Sequence, residues 1–266
     1  MKKTLLVCSR STRKYFPDID KTRVITGPLS ATEAKKLHNS EDDVIAVGGG
    51  AVIDAAKIIC KNPIVCYPTT AAGTVHTKHS VVWDGHNKIS ISVPVPDQVI
   101  VKEEFLTSLP FSVTLKTTYD AVSHCLDSLW STKRNDLSTE FAERALSILL
   151  KCDNNLDLVN AGNLAGRAIA ITPTTILHSL SYPLTGIYGI DHGLALGFLL
   201  ESVCDRMGSD VASRLAIPKL NVEDFDVEET STEALKYSKL QDTNKVFKIE
   251  DVKSIYRESI TRNNEK

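Results

Sequence analysis

One carboxylate and three imidazoles stand in this chain at spacings that let them share a cation. Asp120 and His124 lie four residues apart in Thr118-Tyr-Asp-Ala-Val-Ser-His-Cys-Leu-Asp127, the interval that sets two side chains on one face of a helix. His178 follows, and then His192 inside Gly189-Ile-Asp-His-Gly193. Such a set suits a divalent ion of borderline softness, zinc or ferrous iron, with a position left for a substrate oxygen. An alcohol oxygen held there gains alkoxide character, and in reverse a carbonyl is polarised. With seven histidines in the chain, pairing by chance is the competing explanation, and only the fold can bring the distant two to the pair.

Upstream, Val44-Ile-Ala-Val-Gly-Gly-Gly-Ala-Val-Ile-Asp-Ala-Ala-Lys57 runs from an apolar strand through three glycines into a helix. Glycines there permit positive φ and close approach of backbone to a ligand, and the helix start offers N–H groups to a pyrophosphate. A plain strand-to-helix turn has the same pattern. Tyr67-Pro-Thr-Thr-Ala-Ala-Gly-Thr74 supplies hydroxyls and small residues suited to the other wall of a dinucleotide groove. A phosphate-cradling turn and a Lewis-acid site together suggest a metal-dependent dehydrogenase using a nicotinamide cofactor.

The elements that must position these groups divide the chain. Up to residue 107 short β-branched runs dominate, at Thr4–Cys8, Val24–Thr26, Asp43–Val47 and Pro63–Tyr67. Continuous apolar runs of this kind fit a parallel sheet covered on both faces. Ser30–His38 and Ala51–Cys60 read as crossover helices, the first with an N-cap and an acid at N3. Val81–Trp83, Lys88–Val93 and Gln98–Val101 read as further strands, with Asp84-Gly-His-Asn87 as a hairpin turn. From residue 108 helical periodicity takes over, with helices expected at 111–130, 138–150, 156–171, 173–182, 192–206 and, more polar, 230–262. Pro183–Asp191 reads as a loop, and the last ~15 residues as polar enough to fray. The expectation is a Rossmann-like α/β domain over 1–107, a helical metal-binding domain over 108–266, and the site between them.

Composition limits the partners. The 266 residues are 42% apolar and 24% charged with a net charge of −2, which argues against nucleic acid. No run approaches the ~18 apolar residues of a membrane span. The apolar run after Met1-Lys-Lys3 is too short for a signal-peptide core, and the six cysteines are scattered without framework spacing. A cytoplasmic protein acting on a small molecule is the expectation.

These motifs together resemble the iron-containing (group III) alcohol dehydrogenase family, whose fold is shared with dehydroquinate synthase and glycerol dehydrogenase. The resemblance runs to about residue 205 and rests on Gly48-Gly-Gly-x-x-x-Asp54-x-x-Lys57, Pro68-Thr-Thr-Ala71, Asp120-Ala-x-x-His124, His178 and the His192-Gly pair 14 residues on. It implies that Asp120, His124, His178 and His192 hold Fe(2+) or Zn(2+). It implies a cofactor, NADPH or NADH, bound by Ser9, Gly48, Gly49, Gly50, Asp54, Thr69, Thr70 and Lys88. Homo-oligomers, commonly dimers, are the family's habit. Ser123–Ser131 and His178-Ser-Leu-Ser-Tyr-Pro-Leu-Thr185 look like its phosphonoacetaldehyde reductase branch, which interconverts phosphonoacetaldehyde and 2-hydroxyethylphosphonate. Tyr182 stands where many members carry a second histidine, and is the candidate proton relay or positioning group.

Three departures accompany the resemblance. The chain is shorter than typical members, as if the first strand and hairpin were missing and the helical domain trimmed. Ala72-Gly-Thr-Val-His-Thr-Lys-His79 replaces the usual glycine–serine loop, and its His76, Lys78 and His79 form a cationic group suited to a phosphonate. Ser9-Arg-Ser-Thr-Arg13 stands where an acid often disfavours a 2′-phosphate, which favours NADP over NAD. Rival readings are a broader alcohol or sugar-acid dehydrogenase, a lyase of the dehydroquinate synthase type, and a trimmed homologue that has lost turnover and acts as a binding protein.

Overall fold

The computed structural model describes residues 4–18, 24–26, 31–37, 43–60, 64–84, 87–107, 109–152, 154–215, 217–222 and 224–266. Strands β1 (Thr4–Cys8), β2 (Val24–Thr26), β3 (Asp43–Gly48) and β4 (Ile64–Pro68) lie in one parallel sheet. β5 (His79–Asp84) and β6 (Asn87–Ser92) form a separate antiparallel hairpin, and β7 (Gln98–Val99) returns to the edge of the sheet. The order β2-β1-β3-β4-β7 puts a topological switch between β1 and β3, where ligands of open α/β sheets settle beyond the carboxyl strand ends.

Both faces are covered, by different means. Leu5, Val7, Val44 and Ala46 point to a core shared with helix α2 (Gly50–Ile59) and with the hairpin. Their neighbours Leu6, Cys8 and Val47 point the other way, as the period of a strand requires. There Phe105 meets Tyr15, Phe16 and Tyr67 with ring centroids 5.1, 5.7 and 5.5 Å away. An aromatic cluster therefore does on that face what a crossover helix does on the first. Helix α1 spans Ala31–Lys36; the expected cap Ser30 and end His38 lie outside the described residues, as does the hairpin tip 85–86.

The remainder is helical: α3 (Phe111–Trp130), α4 (Asp136–Leu149), α5 (Asn155–Ile171), α6 (Ile176–Gly186), α7 (His192–Met207), α8 (Val227–Ala234) and α9 (Ile249–Glu265). Local chemistry sets several starts. Asn135 and Ser138 make a reciprocal cap on α4, Asn154 caps α5, and Asp226 caps α8.

Four expectations need correction. α6 does not stop before Pro183 but runs through it to Gly186, so part of the expected loop is helix. The Ile187 N–H still reaches the Pro183 carbonyl at 2.9 Å, because a proline removes a donor only from the turn that precedes it. The expected helix 230–262 is two helices, with a 3₁₀ turn at Ser238–Asp242 between them. The chain's end does not fray: Val252, Ile255, Tyr256 and Ser259 form a buried stripe, and the Tyr256 hydroxyl donates to the Leu180 carbonyl at 2.6 Å. Finally, none of Gly48, Gly49 and Gly50 takes a positive φ. Their service is smallness: a Cβ on Gly48 would stand 2.8 Å from Val52, and one on Gly49 3.1 Å from the Thr70 methyl.

Two close contacts tie the sheet half to the helices. Gly73, at φ +73°, packs its backbone on α5, where a Cβ on Gly166 would lie 1.9 Å from the Gly73 carbonyl oxygen. A Cβ on Gly162 would meet the Ala71 carbonyl at the same distance. Nearby, the Ala71 N–H donates to Thr117 Oγ1 on α3 at 3.4 Å, three residues before Asp120. The threonine loop and the ligand-bearing helix are thereby set side by side.

Candidate metal centre and cofactor groove

Three helices converge on a single carboxylate oxygen. The Nε2 atoms of His178, His124 and His192 lie 3.2, 3.4 and 3.9 Å from Asp120 Oδ1. Ligand atoms of Asp120, His178 and His192 all fall within 4.8 Å of one another, a spread one metal ion can bridge. His124 joins them as a stacked ring, 4.6 Å from His178 and 8° off parallel. The structure thus gathers all four residues singled out in the sequence.

The α3 residues arrive by helical periodicity. His192 arrives because α7 docks tightly on α3. A Cβ on Gly193 would stand 2.5 Å from the Lys116 carbonyl, and one on Gly197 2.5 Å from the Tyr119 ring. The glycine after His192 is therefore a packing requirement. Asp191 caps α7 through the Gly193 N–H at 3.1 Å and pairs with Lys116 at 3.0 Å, fixing the helix start at the same point.

His178 is held from behind by Asp127, which belongs to none of the ligand motifs legible in the sequence. Asp127 is fully buried and accepts from Thr175 Oγ1 at 3.0 Å, the Leu177 N–H at 2.9 Å and the His178 N–H at 3.3 Å. It thereby caps α6 from another helix, since Thr175 makes no side-chain cap of its own. Its Oδ2 also lies 2.8 Å from His178 Nδ1, which leaves Nε2 facing Asp120. This carboxylate–imidazole arrangement is the one that orients metal-bound histidines. Positions 120, 124 and 127 share one helix face, so the i, i+4, i+7 pattern was the signal available in the sequence.

The electrostatics fit a cation. Burial pushes the Asp120 carboxyl up, but the potential of His124, His178 and His192 outweighs it and holds the group well below the usual carboxylate range. Asp127 is likewise low, its burial outweighed by His178 and the α6 N–H donors. Burial alone would lower His178, yet Asp120 and Asp127 together raise it. Two buried carboxylates around one imidazole leave a centre that asks for positive charge, and an oxygen–nitrogen donor set of this kind accepts iron or zinc.

Tyr182 lies beside this centre on α6, 4% exposed, stacked on His192 at 5.9 Å and edge-on to His178 at 6.0 Å. Burial raises its phenol, which keeps the proton in place, and the hydroxyl stands 3.4 Å from Thr174 Oγ1.

On the sheet side, Ser9, Gly48 and Thr69 lie at the carboxyl ends of three adjacent strands. The Ser9 N–H donates to the Val47 carbonyl at 3.2 Å, and the Thr69 N–H to the Gly48 carbonyl at 3.0 Å. Ser9 Oγ joins Ser11 and Thr12 hydroxyls at 2.9 and 2.8 Å. Thr70 closes over Gly49, and Gly50 opens α2 under Thr74. Asp54 behaves otherwise. It is 4% exposed, accepts from the Val81 N–H at 3.1 Å and faces Lys57 at 3.6 Å, so its carboxylate serves the β5 hairpin rather than the groove. Burial pushes it up to about 6 against the pull of Lys57. Lys57, fully buried, spends its ammonium on the carbonyls of Thr74, Thr77 and His79 at 3.1, 2.9 and 3.2 Å. Lys88 falls in β6, and its side chain lies outside the described residues. His76 is half-buried, while Lys78 and His79 are exposed.

A parallel sheet with a switch-point crevice, set against a helical four-residue donor cluster, defines a class that comparison with known proteins makes specific. Residues 18–110 match the model of the iron-containing alcohol dehydrogenase family, and residues 114–217 match that of the C-terminal region of Fe-containing alcohol dehydrogenases. The chain belongs to the iron-containing alcohol dehydrogenase family. A 1-propanol dehydrogenase of Citrobacter freundii is 29% identical over 187 residues, covering 61% of this chain and 50% of that protein. A phosphonoacetaldehyde reductase of Streptomyces viridochromogenes is 27% identical over 232 residues, covering 68% and 59%. The crystal structure of an iron-containing alcohol dehydrogenase from Thermotoga maritima superposes with a TM-score of 0.83 at 25% identity, covering 98% of this chain and 92% of that one. The chain spans about half the length of the curated relatives it matches.

Proposed function

We propose that this chain is a metal-dependent NAD(P)H oxidoreductase that interconverts a small polar aldehyde and its primary alcohol, with phosphonoacetaldehyde the favoured substrate. The observation that carries the reading is the convergence of three imidazole Nε2 atoms on Asp120 Oδ1. Asp120, His124, His178 and His192 would hold iron or zinc. A cation there supplies Lewis-acid polarisation of the substrate oxygen, and the nicotinamide supplies the hydride. Asp127 sets the tautomer of His178 and shields it from water. Tyr182, kept protonated by burial, positions the substrate oxygen by donating its hydrogen bond.

Residues 1–107 would bind the nucleotide and residues 108–266 the metal. Backbone N–H groups at Gly49 and Gly50, with the hydroxyls of Ser9, Thr69 and Thr70, receive the cofactor's phosphates and nicotinamide side. Asp54 and Lys57 support that wall from within. Arg10 is exposed at the end of β1, which favours NADPH, whereas Arg13 already donates to the Phe16 carbonyl. A cytoplasmic homodimer acting on a small molecule completes the proposal. Among the described residues no helix is long and apolar enough to cross a membrane.

A broader alcohol dehydrogenase is the second reading, favoured by the 29% identity to 1-propanol dehydrogenase. A substrate panel with NADH and NADPH under defined iron or zinc loading separates the two. The expected result is cofactor oxidation fastest with phosphonoacetaldehyde. Equal or faster turnover of propanal favours the second reading, and no oxidation with any aldehyde rejects both.

A further inference from the structure

The segment joining α8 to α9 packs on α6 beside the candidate centre and carries an ammonium group with no structural employment. Tyr237 begins it, with its ring 5.0 Å from that of Tyr182, which itself stacks on His192. At the other end the Thr132 N–H donates to the Asp242 carbonyl at 2.7 Å, and the Asn244 N–H to the Trp130 carbonyl at 2.8 Å. Asp242 is taken by Lys133 at 2.6 Å. Between these anchors the 3₁₀ turn Ser238–Asp242 packs on α6 and holds Lys239 half-buried. Lys239 makes no hydrogen bond or ion pair among the described residues.

A desolvated lysine without a partner is unfavourable unless something else supplies the negative charge. Burial lowers Lys239, and only the fields of Asp127 and Asp242 oppose that. Neither acid needs it. Asp127 already accepts from four donors of Thr175, Leu177 and His178, and Asp242 has Lys133. The turn is fixed at both ends, so the ammonium is presented in advance of binding rather than recruited by it.

We propose that Lys239, steadied by Tyr237 against Tyr182, is the specificity residue that binds the anionic head of the substrate. The chemistry it selects is a tetrahedral or planar oxyanion, phosphonate, sulfonate or carboxylate, one or two carbons from the carbonyl. An ammonium donates to all three, and the charge, not the carbon chain, decides the selection. The inference rests on the reductase reading but places the anion at the C-terminal turn rather than at His76, Lys78 and His79.

The test compares wild type, Lys239→Met and Lys239→Arg with phosphonoacetaldehyde, sulfoacetaldehyde and propanal. Loss of one hydrogen bond to a charged group should lower the phosphonoacetaldehyde-to-propanal ratio of kcat/KM by about 30-fold in Lys239→Met, chiefly through KM, with substantial rescue by arginine. The sulfoacetaldehyde ratio ranks the two anions. A ratio unchanged by Lys239→Met overturns the inference, as does an equal fall for charged and neutral aldehydes, which would make Lys239 a support for Asp127. Calorimetric titration of 2-hydroxyethylphosphonate into the zinc-loaded proteins reads the same contact without turnover. Binding weakened about tenfold or more in Lys239→Met supports it even if no aldehyde is reduced. Unweakened binding, or none to wild type, overturns it.

Discussion

The two walls of this cleft are made from opposite materials. On the sheet side the strand ends present backbone N–H groups and hydroxyls, and the charged residues, Asp54 and Lys57, are turned inward to pin the loop that follows. On the helical side the charged residues face the centre, and other charged residues hold them there. The first wall depends on small residues that let backbones touch. The second depends on a chain of carboxylate–imidazole contacts, Asp127 to His178 to Asp120. Substitutions should therefore fail differently on the two sides: through shape and stability on one, through affinity for a cation on the other.

The largest effect is expected at Lys57. Lys57→Met leaves Asp54 buried and uncompensated and frees loop 74–79, a loss of about 3–5 kcal/mol that denaturant unfolding would read. A loss under 1 kcal/mol would show that the pair does not hold the wall. Next comes Gly166→Ala, whose methyl would meet the Gly73 carbonyl at 1.9 Å. Pushing the threonine loop off α5 should cost about 3 kcal/mol and weaken cofactor binding in the same variant. Retained stability with unchanged cofactor affinity would contradict the role given to that contact.

On the helical side, Asp127→Asn keeps an acceptor for the α6 N–H groups but loses the charge behind His178. Metal affinity measured by chelator competition should fall about 10–100-fold with only modest loss of stability. The reverse pattern, intact affinity and a large stability loss, would make Asp127 a helix cap and nothing more. The smallest effect concerns His76. Burial, with Arg167 and Lys57 nearby, lowers it from 6.5 to about 4. The unfolded chain then takes the proton first, so stability contributed above pH 6.5 is lost as pH falls toward 4. His76→Gln should flatten the dependence of Tm on pH across that window, and parallel curves for parent and variant would refute it.

What was legible in the sequence follows the same division. Asp120 and His124 are four apart on one helix, so their pairing is local and readable. The glycine turn and the threonine loop are contiguous runs at strand ends, readable for the same reason. Asp127 had a periodic signal, but a carboxylate inside an apolar stretch reads as a surface residue until α6 is seen to start upon it. The Gly-Gly-Gly-x-x-x-Asp-x-x-Lys run read as a set of cofactor contacts, although Asp54 and Lys57 are consumed internally. Burial decides that, and spacing does not report burial. Tyr237 and Lys239 belong to no motif at all, and Tyr237 meets Tyr182 only because the segment is anchored to α3 and α6 at its two ends. The helical continuation through Pro183 and the ordered end of α9 escaped for a related cause, since packing on α7 and α8 overrides a local breaker and a polar composition.

The central claim is that residues distant in the chain form one cation site. Metal analysis of the purified protein loaded with iron or zinc, beside a His178→Ala variant shown to be folded, tests it most directly. One equivalent of metal per chain in the parent and essentially none in the variant is the expected result. A parent that retains no metal, or a variant that retains as much as the parent, would contradict the account.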